Sequence, residues 1–386
     1  MGGTAVVVGG GIGGLAAAIG LRRIGWDVTV VERASTLEDA GAGISLAANG
    51  LRALDELGIG EAVRDASRGQ YSGGTRTPQG GWLARMDGAA LEKAVGTPIM
   101  GIPRSTLHRL LRGSLPAESL LIGAEAASVE QIDASTVQVG CGGGTVLDAD
   151  LVVAADGIGS KARSRLFPDH PGPVYGGSTV LRAITEKTID LPTDFELTWG
   201  HGAEFGHIAF PDGRAEWHAV LNLPAGTRFT DPLAELRRRF HTWHSPIPDL
   251  LDATRPAAVL HHDINELRTP LPSYTAGRTA LLGDAAHAMT PHLGQGACQA
   301  LEDAVTLAAA LATEPTVEAA LTRYDAERRP RSQAIARAAR QAGKMGQQLS
   351  HPLAVALRNT AMRLTPSRAA THMILRHHTW LPPQLP

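Results

Sequence analysis

The sequence predicts an α/β chain in which a parallel-stranded domain is interrupted by a mostly antiparallel sheet and ends in helices. Three observations carry this. Ala5-Val6-Val7-Val8, a short β-branched run, gives way to glycines, then to the helical Leu15-Ala16-Ala17-Ala18-Ile19 and a second strand, Val28-Thr29-Val30-Val31. From about Tyr175 to Asp263 the pattern changes to short strand-like runs, with Pro211-Asp212-Gly213 as a hairpin turn. After Ala297 the apolar residues recur at helical spacing, including Glu302 to Leu311 and Val317 to Arg340.

The chain has 386 residues, enough for two or more domains, and its 43% hydrophobic and 19% charged content is that of a globular protein. A net charge of −2 gives no basis for nucleic-acid or anionic-membrane binding. Two cysteines far apart, Cys141 and Cys298, make neither a disulfide framework nor a thiolate metal site, so no metal and a reducing cytoplasm are expected. Thr4 to Leu21 is uncharged, but its glycine density and the lack of a preceding basic region argue against a signal peptide or membrane span.

In chain order, Gly9, Gly11 and Gly14 fit the G-x-G-x-x-G spacing of a dinucleotide site between the first strand and helix. Gly9 allows the turn, Gly11 lets a pyrophosphate approach the backbone, and Gly14 lets helix pack on strand. Ile12 and Gly13 lie at the helix N-terminus, which faces the anion. Glu32 ends the second strand, where a carboxylate can accept from a ribose hydroxyl. Gly41-Ala42-Gly43-Ile44-Ser45 is a small-residue turn, and Asn49 to Gly58 a helix with a glycine stop. Gly69 to Gly96 reads as loops and strands of another layer, and Ile102 to Leu111 as helix. Further strands follow at Leu120 to Ile122, Ser135 to Val139 and Leu151 to Ala155, and then at Arg278 to Gly283.

Two more segments bear on chemistry. The first is the strand ending in Asp156-Gly157, with Ser160 and Arg163 after it. The second is Gly283-Asp284-Ala285-Ala286-His287, followed by Pro291-His292-Leu293-Gly294-Gln295-Gly296-Ala297 and Glu302-Asp303-Ala304. An acid at a strand end can fix a polyol hydroxyl, and a glycine-rich turn before a helix offers N–H groups to a developing anion.

With the glycine loop, these segments resemble the motifs of the single-component flavoprotein hydroxylases, the family of para-hydroxybenzoate, salicylate and urate hydroxylases. The resemblance runs from Ala5 to about Arg331 and is weakest over 175–265. It implies a Rossmann-like FAD-binding domain of residues 1–70, 97–174 and 265–340, a substrate-binding sheet domain of 71–96 and 175–264, and a helical tail, 341–386. It also implies that Gly9, Gly11 and Gly14 hold the FAD pyrophosphate, Glu32 the adenosine ribose, Arg33 and Arg104 the pyrophosphate side, and the backbone near Ala126 the adenine. Ser45 joins the cofactor-binding set. Asp284 would bind the ribitol, and the amides of Gly294, Gln295 and Gly296, with Ala297 behind them, the N1/O2 edge of the flavin. Asp156 and Arg163 are associated in the family with FAD and NAD(P)H, and Pro291 would turn its carbonyl to the reactive edge.

The implied activity is hydroxylation of an aromatic or heteroaromatic small molecule by NADH or NADPH and O2 through a flavin C4a-hydroperoxide. Epoxidase or oxidase chemistry on the same scaffold, and a non-catalytic flavin-binding pathway partner, are the alternatives. His287 and His292 flank Pro291 and can orient substrate or take a proton. Arg182, Phe205, His207, Trp217 and His218 lie on predicted strands of the inserted sheet. Phe205 shares a face with His207, and His218 with Glu216. Which face looks at the flavin is left open by the sequence.

Overall fold

Five parallel strands run through the middle of the first sheet, in the order Thr279–Leu281, Leu151–Ala154, Thr4–Val8, Asp27–Glu32 and Leu120–Ile122. Their residues are apolar in succession because the sheet is covered on both faces. The short strand Thr275–Ala276 closes one edge antiparallel. The computed structural model describes residues 2–37, 42–366 and 374–386, so Gly41 of the predicted turn lies outside the described residues.

On one face Val7 and Val30 meet the helix Ile12–Arg23, which packs in turn on Gly296–Thr313. The two helices lie close because small residues meet: a Cβ on Gly20 would stand 3.1 Å from that of Ala308. On the other face Val6, Val8 and Val152 pack against a three-stranded antiparallel sheet of Ala126–Gln131, Val137–Cys141 and Val146–Ala149. Alternation along single strands thus feeds two separate cores.

The second large sheet has seven strands, in the order Leu260–Glu266, Val174–Ile184, Ala215–Leu221, Ala203–Ala209, Phe195–Trp199, Ser72–Arg76 and Trp82–Asp87. All pairings are antiparallel except that of Phe195–Trp199 with Ser72–Arg76. The strands from 72–87 therefore lie in the same sheet as those from 174–266. A smaller sheet of Gly43–Leu46, Ile99–Pro103 and Arg68–Gln70 lies beside it, and a Cβ on Gly101 would stand 2.6 Å from the Ile208 side chain.

Three helices occur where the sequence suggested only loops and strands: Gly88–Val95, Pro232–Phe240 and Ile247–Asp252. Asp87 and Asp231 cap the first two, accepting from Ala90 N and Ala234 N at 2.9 Å each. The last two pack Leu233, Leu236, Phe240 and Leu250 onto Leu181, Phe205 and Trp217 of the sheet. The C-terminal part is helical over Val317–Met345 and Pro352–Leu364, as expected, but 379–386 is irregular. That end folds back on the first sheet's helices: Arg52 Nη1 donates to the carbonyls of His378 and Trp380 at 3.0 Å each.

Candidate active site

The carboxyl ends of three parallel strands meet in one crevice, the position where open α/β sheets bind ligands. The first strand delivers the glycine loop. Gly9 has φ +108°, and a Cβ there would strike the carbonyl of Ala155 on the neighbouring strand. A Cβ on Gly14 would strike the Gly9 carbonyl, so Gly14 is fixed by helix–strand packing. Gly11 differs, because a Cβ there meets nothing within 4 Å. It faces open space at the N-cap of the helix that begins at Ile12, and Gly13 packs toward Leu282.

Glu32 is tied to this loop, its carboxylate accepting from Gly10 N at 2.7 Å and Ala34 N at 2.8 Å. His108 supports the loop from behind, its Nε2 lying 2.7 Å from the Gly10 carbonyl. Sequence reasoning did not single out His108; its only signal is a polar residue on the buried face of the helix Arg104–Gly113. Arg104 opens that helix half-buried, its amide donating to Ala42 O at 2.8 Å. Arg33 is exposed next to Glu32, whereas Ala126 and Asp156 line one small cleft. Ser45 is engaged by Gln70 Nε2 at 2.9 Å.

The other two strand ends are clamped together by Arg163. It is 1% exposed, and its guanidinium donates to Ile158 O at 2.6 Å and Ala285 O at 3.0 Å. Ser160 caps its helix, accepting from Arg163 N at 2.9 Å. Asp156 uses one carboxylate oxygen on Ala162 N, and the other is buried without a partner among the described residues. Asp284, just after Gly283, stays exposed at the rim.

Beneath the next turn lies a buried ionic network. Glu302 and Asp303, both 0% exposed, sit on the helix Gly296–Thr313 and face Arg328 of the helix Val317–Met345. Arg328 Nε meets Asp303 Oδ1 at 2.7 Å and its Nη1 meets Glu302 Oε2, while Arg331 reaches Glu302 at 2.6 Å. Asn49 Nδ2 bonds both Glu302 at 2.6 Å and Gln295 Oε1 at 2.9 Å. Burial alone would raise the Asp303 carboxyl, but His287 and Arg328 hold it down at about 2. His287 belongs to this network: it is 3% exposed and its Nε2 lies 2.6 Å from Asp303 Oδ2. That engagement points it into the protein, and the network itself, apart from the Glu302-Asp303 pair noted in the motif, was not legible as a unit.

The turn above the network carries Pro291, exposed, and His292, half-buried. Gly294, at φ +61°, gives its own N–H to Pro291 O at 2.8 Å. The free donors at this helix start are therefore the amides of Gln295, Gly296 and Ala297, which have no intrahelical acceptor. Among the described residues Gln295 Nε2 is buried without a partner, and a Cβ on Gly294 or Gly296 meets nothing within 4 Å.

The seven-stranded sheet forms the roof, and its register decides which side chains face the crevice. Phe205, His207 and Trp217 share the face covered by helices Pro232–Phe240 and Ile247–Asp252; Phe205 and Trp217 stack at 5.6 Å. His207 belongs to that packed side, where burial pushes its imidazole down to about 4. Arg182, Glu204, Glu216 and His218 share the opposite face, since Arg182 pairs with His218 and His218 with Gly206. This inner face approaches the nucleotide side: a Cβ on Gly43 would stand 2.6 Å from Glu216 Cβ.

An FAD molecule fits what is present. The open face at Gly11 admits a pyrophosphate and the exposed Asp284 a polyol. The Gln295 amide and side chain, both unpartnered donors, suit the oxygen-rich edge of a flavin. Among the described residues no group of histidines, cysteines and acids is arranged to hold a metal ion, and no helix is long and apolar enough to cross a membrane.

Comparison with known proteins agrees with this geometry. Residues 3–339 match the model of a family described as FAD binding domain. The chain is 36% identical over 346 residues to aurachin C monooxygenase/isomerase of Stigmatella aurantiaca, covering 89% of this chain and 90% of that protein. It is 36% identical over 357 residues to 3-amino-4-hydroxybenzoate 2-monooxygenase PtnB3 of Streptomyces platensis, covering 87% of each. Among solved structures, Klebsiella pneumoniae HpxO complexed with FAD and uric acid superposes with a TM-score of 0.90 at 27% identity. That alignment covers 97% of this chain and 96% of the other.

Proposed function

The chain belongs to the family of FAD-dependent aromatic monooxygenases, and from that premise we propose that it hydroxylates an aromatic or heteroaromatic small molecule using NADH or NADPH and O2. The observation that carries this reading is the crevice itself. Three strand ends offer an unobstructed glycine loop and acids at Asp156 and Asp284, and the helix start that follows the last of them offers the amides of Gln295, Gly296 and Ala297.

In this reading Gly9, Gly11, Ile12, Gly13 and Gly14 hold the pyrophosphate, and Glu32 the ribose. Arg33, Ser45, Arg104, Ala126 and Asp156 flank the nucleotide half. Asp284 holds the ribitol, and Arg163 keeps the turns of Asp156 and Asp284 at a fixed separation. The chemistry that FAD supplies when bound is uptake of two electrons from the nicotinamide and activation of O2. The protein's part is to stabilise negative charge at the flavin edge through the 295–297 amides and to exclude water beneath the roof. Pro291 and His292 lie on the turn leading to those amides, and the buried pair Glu302/Arg328 fixes that helix start through Asn49 and Gln295. Two buried free cysteines suit a reducing cytoplasm.

The test is to purify the chain and record its absorbance, then follow NADH and NADPH oxidation under air with 3-amino-4-hydroxybenzoate and urate, the compounds named for the relatives above. Bound flavin and oxidation stimulated by an aromatic compound support the proposal. A colourless protein that binds no added FAD defeats it.

A further inference from the structure

Three glycines from separate parts of the chain each make room for one ionisable side chain beneath the roof. A Cβ on Gly206 would strike the His218 imidazole, and Gly43 makes the same allowance for Glu216. A Cβ on Gly343, in the long C-terminal helix, would stand 2.5 Å from His292 Cε1. The space is thus shaped around polar groups, where apolar packing would have been the simpler solution.

Within that space the two nitrogens of His218 differ. Nδ1 lies 3.1 Å from Glu216 Oε2 and must carry the proton, because a carboxylate only accepts. Nε2 is 3.9 Å from Glu204 Oε1, beyond hydrogen-bond reach, and has no acceptor among the described residues. The other Glu204 oxygen is taken by Trp199 Nε1 at 2.5 Å. Both carboxylates are buried, at 2% and 6% exposure, so the anchor is rigid. Building on the FAD monooxygenase reading, we infer that His218 is a positioning residue for substrate. Glu216 fixes its ring, and Nε2–H donates to an oxygen or ring nitrogen of a flat aromatic compound lying between the roof and the 291–296 turn.

The groups facing His218 are Glu216 on its own strand, Glu204 and Arg182 on the flanking strands, and His292 on the turn; His207 lies across the sheet. Burial alone would lower the imidazole, but Glu216 and Glu204 outweigh it and Arg182, and the net direction is upward. Protonated His218 donates from Nε2. Neutral His218 keeps its Nδ1 proton on Glu216 and presents a lone pair at Nε2. Binding of an acceptor compound is therefore strong below the His218 value and fades as pH rises through it.

The experiment uses the flavin-loaded enzyme, titrated with 3-amino-4-hydroxybenzoate and with urate while the flavin spectrum is followed across pH. The wild type should bind at least one of them, with Kd rising roughly tenfold or more through a single titration. His218→Gln should remove that break, and Glu216→Gln should move it to lower pH. In parallel, histidine NMR of the holoenzyme should show one signal, absent from His218→Gln, that titrates above an ordinary histidine and falls in Glu216→Gln. This second readout needs no ligand. The inference is overturned if neither compound perturbs the flavin, if His218→Gln binds as the wild type does, or if Glu216→Gln leaves the histidine titration in place. A protein without flavin would instead defeat the reading on which the inference rests.

Discussion

At the scale of single residues, the glycine loop separates two functions that its sequence pattern merges. A side chain at Gly14 would meet the Gly9 carbonyl, whereas one at Gly11 projects into empty space. Gly14→Ala is therefore expected to cost stability by overpacking, about 1–3 kcal/mol, and to lose flavin with it. Gly11→Ala should leave the flavin-free protein as stable as flavin-free wild type while flavin content falls, which absorbance ratios and melting curves of the two stripped proteins would separate. Asp303 makes a second prediction. Its carboxyl is buried, which alone would raise it, yet His287 and Arg328 bring it from 3.8 to about 2. A group depressed on folding contributes stability that is complete above its unfolded value and is lost as pH falls through the folded one. Urea midpoints should accordingly drop between about pH 4 and pH 2, and Asp303→Asn should weaken this drop. The same substitution leaves Arg328 short of one partner and should cost about 3–5 kcal/mol at neutral pH.

At the scale of elements, what was legible followed periodicity and glycine spacing. The Ala5–Val8 strand, the helix after it and the strand ending in Glu32 are local patterns, and they appear as Thr4–Val8, Ile12–Arg23 and Asp27–Glu32. The helices Pro232–Phe240 and Ile247–Asp252 were missed because each spans under three turns, too short to show a period against the surrounding strands. The cap at Asp231, followed by Pro232, was the available signal. Asp231→Ala should lower stability by about 1 kcal/mol without changing flavin content, since that helix lies on the outer face of the sheet. The facing of the inserted sheet was illegible for a different reason. Alternation groups Phe205 with His207 and Glu216 with His218, but which group turns inward depends on what covers the sheet, and that cover is the two short helices whose pattern was not legible. His287 was equally opaque: its neighbour Pro291 suggested a place at the flavin, while its partner Asp303 sits a further twelve residues along.

At the scale of the whole molecule, charge is segregated along the chain. From Arg328 to the end there are ten Arg and Lys and no Asp or Glu, leaving 26 cations against 38 acids before it. The net charge of −2 conceals this. Several of those cations meet acids of the earlier part, as in Arg328 with Asp303, Arg331 with Glu302 and Arg340 with Glu266 at 2.6 Å. The final residues add Arg52 bonded to His378 and Trp380, and Leu385 N to Glu56 at 3.1 Å. Deleting residues 374–386 should lower the thermal midpoint by several degrees, because Arg52 then loses two of its carbonyl partners, while flavin remains bound. The C-terminal segment thereby secures the helices beneath the crevice, which is the proposed seat of the oxygen chemistry. The measurement that tests this most directly is product analysis after turnover of the flavin-loaded enzyme with NAD(P)H, isotopically labelled O2 and 3-amino-4-hydroxybenzoate or urate. One labelled oxygen atom in a hydroxylated product is the expected result; oxygen derived only from water, or peroxide formed in place of any oxygenated product, would contradict it.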